Sequence, residues 1–321
     1  MSAPLETPGM VALEVVHETR YSYANAVSLA QHLAHLQPLS DEDQQLDAFD
    51  LEIVPAPGHR RTSLDSMGNQ QCHFSLVQSH SSLLVRATSQ VGVAPRFAAL
   101  QAASAPPWDE VAAGLRYVAR AHFEPALEFV QPSPYVPRLP ALRDYALSLF
   151  GLGRPLAEAA LALMHRVHAD FRYQSQSTEV DTPLAQVFRE RRGVCQDFAH
   201  LMAGCLRALG LPARYVSGYL LTHAPEGGAP LLGADASHAW VQVWCPGTRG
   251  VPADGWLDLD PTNDLVPGAG HVRLALGRDF GDMTPLRGVI RGGGRHTLAV
   301  AVSTRQVPLP TPLAAAAGAE D

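Results

Sequence analysis

Cysteine is scarce in this chain: four thiols in 321 residues, at positions 72, 195, 205 and 245. None belongs to a CxxC pair, which argues against a zinc site, and four scattered cysteines do not make a disulfide scaffold. Basic charge is also short. The net charge of −7 excludes a strongly basic nucleic-acid binder and does not favour docking on an anionic membrane. No apolar run approaches the roughly 18 residues of a spanning helix. The opening MSAPLETPGMVALEVV lacks a basic stretch leading into an apolar one, so no secretory signal is expected. These absences predict a soluble, reduced, cytoplasmic protein. The 14 histidines include no HExxH and no Cys/His cluster, and there is no EF-hand loop, so no metal or cofactor is expected.

What is present reads as globular: 46% hydrophobic and 17% charged residues, at a length that suggests about two domains. Residues 12–24, 48–55 and 82–93 are strand-like. The segments 61–65 and 70–77 flank Met67-Gly68-Asn69, a hairpin signal. An Ala- and Pro-rich linker, 94–107, follows, and the apolar period then becomes helical. Helices are expected from Trp108, over 141–150 and over 155–171, where Leu156, Ala160, Leu163, Met164 and Val167 share a stripe. His165 and His168 lie three apart on that helix and read as part of a solvated face. A Gly- and Pro-rich loop at 223–235 reads as a flexible rim, and the tail from Pro308 as a fraying end.

The informative stretch is 193–264. Phe198, Leu201, Met202, Cys205, Leu206 and Leu209 recur at three- and four-residue spacing, and Gly210 and Pro212 stop the run. Cys195 falls in the first turn of that helix, behind Gly193 and beside polar Gln196 and Asp197. A helix N-terminus lowers a thiol's pKa and favours the reactive thiolate. Cys205, on the apolar stripe, reads as a buried inert thiol, as do Cys72 and Cys245 on alternating strand faces. His200 lies about 140° round the helix from Cys195 and is given no role.

Strands 238–244 and 255–260 suit an antiparallel pair. Pairing His238 with Asp260 sets Trp240 against Asp258 and Gln242 against Trp256. One face then carries these six residues, and the other carries Ala239, Val241, Val243, Leu257 and Leu259. A thiolate that attacks a carbonyl, an imidazole that shuttles the proton and a carboxylate that orients the imidazole are the parts of nucleophilic acyl transfer. Cys195, His238 and Asp260 are the candidates. Trp240, Trp256 and Gln196 are the candidate substrate contacts.

At these residues the chain resembles the bacterial transglutaminase-like family of the papain-like cysteine enzymes. The matching segments are RRGVCQDFAHLMAGCLRALGLPARYVSGYL (191–220), SHAWVQVW (237–244) and GWLDLDPTND (255–264). LGRDFGDMTPLRGVIRGGG (276–294) resembles the family's C-terminal signature, and the β region from HETRYSYA onward its N-terminal domain. The resemblance implies an α+β fold: an antiparallel β domain over 10–98, and a catalytic domain over 103–310, with its core at 155–265. In that core a helix bearing the cysteine packs on an antiparallel sheet. It implies Cys195, His238 and Asp260 as a catalytic triad, and a peptide or protein amide as substrate. The expected reaction runs through a Cys thioester, with hydrolysis favoured because water needs no dedicated acceptor site. Glutamine–amine acyl transfer and a non-catalytic peptide-binding module are the alternatives.

Overall fold

Alternation in ALEVVHETRYSYA drives a strand that buries Leu13, Val15, His17 and Thr19 on one face. In the computed structural model, which describes residues 9–120, 123–175, 177–221 and 237–308, this strand, β1, runs Val11–Ala34. It is longer than its alternating start suggests because it is the shared middle of a seven-stranded sheet. The other N-terminal strands are β2 (Gln44–Val54), β3 (His59–Leu64), β4 (Gln70–Leu76) and β5 (His80–Val93), in the order β2-β5-β1-β4-β3.

Helices follow: α1 (Trp108–Gly114), α2 (Pro140–Leu147), α3 (Leu156–Asp170), α4 (Leu184–Glu190) and α5 (Cys195–Ala208). The expected stripe of α3 is buried. Two short strands, β6 (Arg172–Tyr173) and β7 (Arg192–Gly193), pair in parallel and hold Tyr173 beside Gly193. A second, four-stranded antiparallel sheet has the order β10-β9-β8-β11: β8 (Ala213–Leu220), β9 (His238–Trp244), β10 (Trp256–Leu259) and β11 (His271–Gly277). The apolar face of α5 meets Ala239, Val241, Val243, Leu257 and Leu259 in one core. Each large side chain so buried contributes about 1.5–3 kcal/mol. Gly210, at φ +83°, ends the helix in the left-handed conformation that glycine adopts without penalty. The fold is therefore α+β, with helices packed on an antiparallel sheet.

The last strands, β12 (Leu286–Gly292) and β13 (His296–Val307), return to the first sheet and pair with the two halves of β1. The two sheets meet at β11. Gln44 bonds the Arg273 backbone through both ends of its amide, at 2.7 Å each. Asn69 does the same at Leu276, also at 2.7 Å. These amides take the place of a neighbouring strand on β11 and cover polar groups that would otherwise be an open edge.

The register of β9 and β10 corrects the expected one. Trp256 pairs with Trp244 and Asp258 with Gln242, a slip of two residues. The connecting loop decides this, closed by the Cys245 N–H donating to the Gly255 carbonyl at 2.7 Å. A period-two pattern is blind to a slip of two, so the division into faces survives. His238 and Asp260 are then diagonal neighbours, and Asp260 leaves the strand in a bridge to Leu265.

Candidate active site

The site begins at the head of α5. The residue before the helix, Val194, donates its N–H to Asp197 Oδ2 at 2.9 Å, and Thr178 Oγ1 donates to the same oxygen at 2.6 Å. An acid in the first turn suits the helix dipole. Burial pushes the Asp197 pKa up, against these two hydrogen bonds. Gly193 is required here, because a Cβ on it would lie 2.6 Å from Asp197 Oδ2. This anchoring fixes Cys195 in the first turn, partly exposed, with its sulfur 4.0 Å from the Ser237 carbonyl. First-turn amides such as those of Cys195 and Gln196 have no partner within the helix and face outward from its end.

Beside Cys195, His238 opens β9 and is buried. Its Nε2–H donates to Asp260 Oδ2 at 2.8 Å. Its Nδ1 is buried without another partner among the described residues, which leaves it for the sulfur. Burial pulls the His238 pKa down, but the Asp260 charge and hydrogen bond, together with the Cys195 sulfur, outweigh it and hold it up at about 10. Burial opposes the charge on Asp260 in turn, while His238 and His271 keep its pKa well below the usual carboxylate range. Asp260 is fully enclosed and collects further donors: the Thr262 and Asn263 backbone amides on Oδ1 at 3.0 and 3.2 Å, and Asn263 Nδ2 on Oδ2 at 2.8 Å.

The structure thus brings Cys195, His238 and Asp260 together, and it buries both tryptophans. Trp240 was expected on a groove wall, but it is fully buried. Its ring lies over Gly218, stacks on His238 and meets His271 edge-on at 5.4 Å. Trp256 packs on Phe129, with the Arg214 guanidinium 4.1 Å from its ring centroid. The reasons differ: Trp240 fills the space over Gly218 between His238 and His271 on its own sheet, whereas Trp256 is covered by Phe129 and Ala126 of the 125–130 turn. Gln196 stays at the helix head, its Nε2 donating to the Val180 carbonyl at 3.1 Å. The 223–235 loop and the tail from residue 309 lie outside the described residues.

Three features were not read from the sequence. His165 and His168 are not a free solvated face: they bond Asp264 and the Thr262 carbonyl, so α3 clasps the turn after Asp260. Tyr215, buried on β8, has its pKa raised well above 10 by burial and then by the nearby Cys195 charge. His271, isolated in GAGHVRL, reaches Asp260 from β11. Only the first carried a signal, a helical pair of histidines near a polar turn. Among the described residues no group of three His, Cys, Asp or Glu side chains is placed to hold a metal ion.

A cysteine at a helix head, facing a buried His–Asp pair on an antiparallel sheet, is the arrangement of the transglutaminase-like, papain-like cysteine enzymes. Residues 143–261 match the model of the transglutaminase-like superfamily, and residues 13–92 that of the bacterial transglutaminase-like N-terminal region. An uncharacterized protein of Mycobacterium tuberculosis (strain ATCC 25618 / H37Rv) is 37% identical over 96% of each chain. A protein-glutamine gamma-glutamyltransferase of Pseudomonas aeruginosa is 35% identical over 134 residues, 41% of this chain and 19% of that one. Among solved structures, a candidate cysteine protease from Cytophaga hutchinsonii shares the fold at TM-score 0.69, with 21% identity over 94% of this chain and 93% of that one. The chain belongs to the transglutaminase-like superfamily, in its bacterial branch with the N-terminal β region.

The cytoplasmic expectation is corrected to no stated compartment, because a small number of unpaired thiols does not decide one. Similar solved chains include the periplasmic domain of TgpA from Pseudomonas aeruginosa, with 22% identity over 79% of this chain and 90% of that one, at TM-score 0.35. The physical error lay in reading compartment from cysteine count. Cys72, Cys205 and Cys245 are single buried thiols, which a reducing and an oxidising compartment accommodate alike. Among the described residues no helix is long and apolar enough to cross a membrane.

Proposed function

We propose that this protein is a cysteine acyl-transfer enzyme acting on a peptide or protein amide. Cys195 is the nucleophile, His238 the general base and acid, and Asp260 the group that orients the imidazole. The observation that carries this reading is the buried His238, with Nε2 on Asp260 at 2.8 Å and Nδ1 left for the sulfur at the head of α5. A His238 pKa raised by Asp260 favours an imidazolium, and an imidazolium next to a thiol at a helix N-terminus favours the thiolate. The thiolate attacks the amide carbonyl. The oxyanion that forms lies at the first-turn amides of α5. The tetrahedral intermediate collapses as His238 gives its proton to the departing amine, leaving a thioester on Cys195. Neutral His238 then takes a proton from the acceptor, the thioester is attacked, and Cys195 is released.

With water as acceptor the reaction is amide or peptide hydrolysis, the favoured outcome, since acyl transfer to water needs no further binding site. The second reading, transfer to an amine, is favoured by the Pseudomonas aeruginosa relative's description as a protein-glutamine gamma-glutamyltransferase. One experiment separates them. The protein is incubated with a glutamine-containing protein and a fluorescent primary amine, and the products and Cys195 are followed by mass spectrometry. Acyl adducts on Cys195 that vanish in Cys195→Ala support the mechanism. Cleaved or deamidated product supports hydrolysis, and fluorescent conjugate supports transfer. Turnover that persists in Cys195→Ala overturns the proposal.

A further inference from the structure

Asp260 Oδ2 is shared by two histidines. His238 Nε2 approaches at 2.8 Å and His271 Nε2 at 3.3 Å. His271 is 6% exposed, so bulk solvent does not compete for the contact. Its ring is fixed on one side by the Trp240 edge, and its strand by the N-terminal sheet through Gln44 and Asn69. The two imidazole centroids are 6.3 Å apart, on either side of one carboxylate.

We propose that His271 is a positioning residue for the triad: its Nε2–H donates to Asp260 Oδ2, holds the carboxylate in place and tempers the basicity of His238. This rests on the cysteine-enzyme reading above. A carboxylate that shares its charge with a second donor stabilises the facing imidazolium less, so His238 releases its proton more readily when it acts as acid. The groups around His271 limit the other sources of charge. From β9 there is His238, from the turn after β10 there is Asp260, and from α5 there is Cys195 beyond His238. On β11 itself Arg273 lies two residues along, engaged by Asp41 at 2.8 Å. Trp240 offers an aromatic edge without charge. The pair therefore forms a His–Asp–His relay whose outer member supports the carboxylate and never meets substrate.

The test needs no identified substrate. Rates of alkylation at Cys195 by iodoacetate and by iodoacetamide are measured on the full chain, by peptide mass, from neutral to alkaline pH. The anionic reagent is accelerated by an adjacent imidazolium, so the ratio of the two rates falls where His238 loses its proton, near its pKa of about 10. In His271→Phe, which keeps a ring against Trp240 but removes the donor, that fall moves to higher pH by ~0.5 unit or more. In His271→Gln, which restores an N–H donor, it returns toward the wild-type position. A merely structural role lowers the melting temperature of both variants without moving the limb. Coincident limbs in wild type and His271→Phe overturn the proposal. Should His271→Phe fail to fold, the wild type decides: histidine ring nitrogen NMR must find the proton of His271 on Nε2, and a bare Nε2 overturns it. A wild-type ratio that stays flat across the range instead overturns the thiolate–imidazolium reading itself.

Discussion

Two cysteines on one helix separate chemistry from packing. Cys195 sits at the partly exposed head of α5, and Cys205 is fully buried three turns on. Burial pushes the Cys205 thiol up to about 12, so it stays protonated and inert. Cys195→Ala is expected to abolish turnover with little change in unfolding midpoint, whereas Cys205→Ala leaves activity largely intact and lowers stability by about 1 kcal/mol. Paired activity and urea-unfolding measurements check this; equal loss of activity in both at unchanged stability removes Cys195 from its role. Trp240 makes the opposite point. The fully enclosed indole braces His238 and His271. Trp240→Ala should cost about 3–5 kcal/mol of stability, as large buried aromatics do. A variant that binds substrate more weakly but unfolds like wild type would restore the groove role that alternation suggested.

At the scale of elements, the α5 head depends on one side chain. Asp197 receives the Val194 amide and the Thr178 hydroxyl and fills the space over Gly193. Asp197→Ala frees both donors in a buried setting and should cost about 1–2 kcal/mol, the size of a lost helix cap. It should also slow iodoacetamide alkylation of Cys195, because the first turn loses its anchor. Asp197→Asn, whose amide oxygen still accepts from Val194, should lie between. Alkylation rates by mass spectrometry and thermal melts of the three proteins give the comparison; an Ala variant alkylated as fast as wild type would show that the turn is held by other contacts.

The whole molecule should be acid-sensitive, for a reason in its histidines. Burial pulls His17 down to about 4 and, with the Arg207 charge behind it, His200 down to about 3. His17 bonds Tyr219 across the two sheets, and His200 on α5 accepts the Phe280 amide. Both folded pKa values lie below the unfolded value of about 6.5, so the unfolded chain binds more protons between them. Their contribution is complete above pH 6.5 and is lost as the pH falls toward 4. His238 has the opposite sign: its raised pKa contributes below 6.5 and fades as the pH climbs through about 10. Calorimetry should find the melting temperature highest near neutral pH and lower by about 5 °C or more at pH 4.5. A flat profile from pH 7 to 4.5 would show that these histidines are not held neutral.

The sequence alone determined the parts whose cause is local. The helix that starts at Cys195 and is stopped by Gly210, and the separation of Ala239, Val241 and Val243 from His238, Trp240 and Gln242, follow from periodicity and stop signals between near neighbours. The α+β class and the three side chains of the proposed triad were legible through the motifs around Cys195, His238 and Asp260 that resemble the transglutaminase-like family. Tertiary structure decided what no neighbour records. The β9–β10 register was set by a loop closure to which a two-residue period is blind. The return of β12 and β13 to β1 joins opposite ends of the chain. Trp240 is buried because Gly218 on β8 and His271 on β11 leave its ring a place on the sheet, and Trp256 because Phe129 packs over it. His271 meets Asp260 because β11 pairs with β8, β8 with β9 and β9 with β10, and a contact made across a four-stranded sheet leaves no spacing in the sequence to be read.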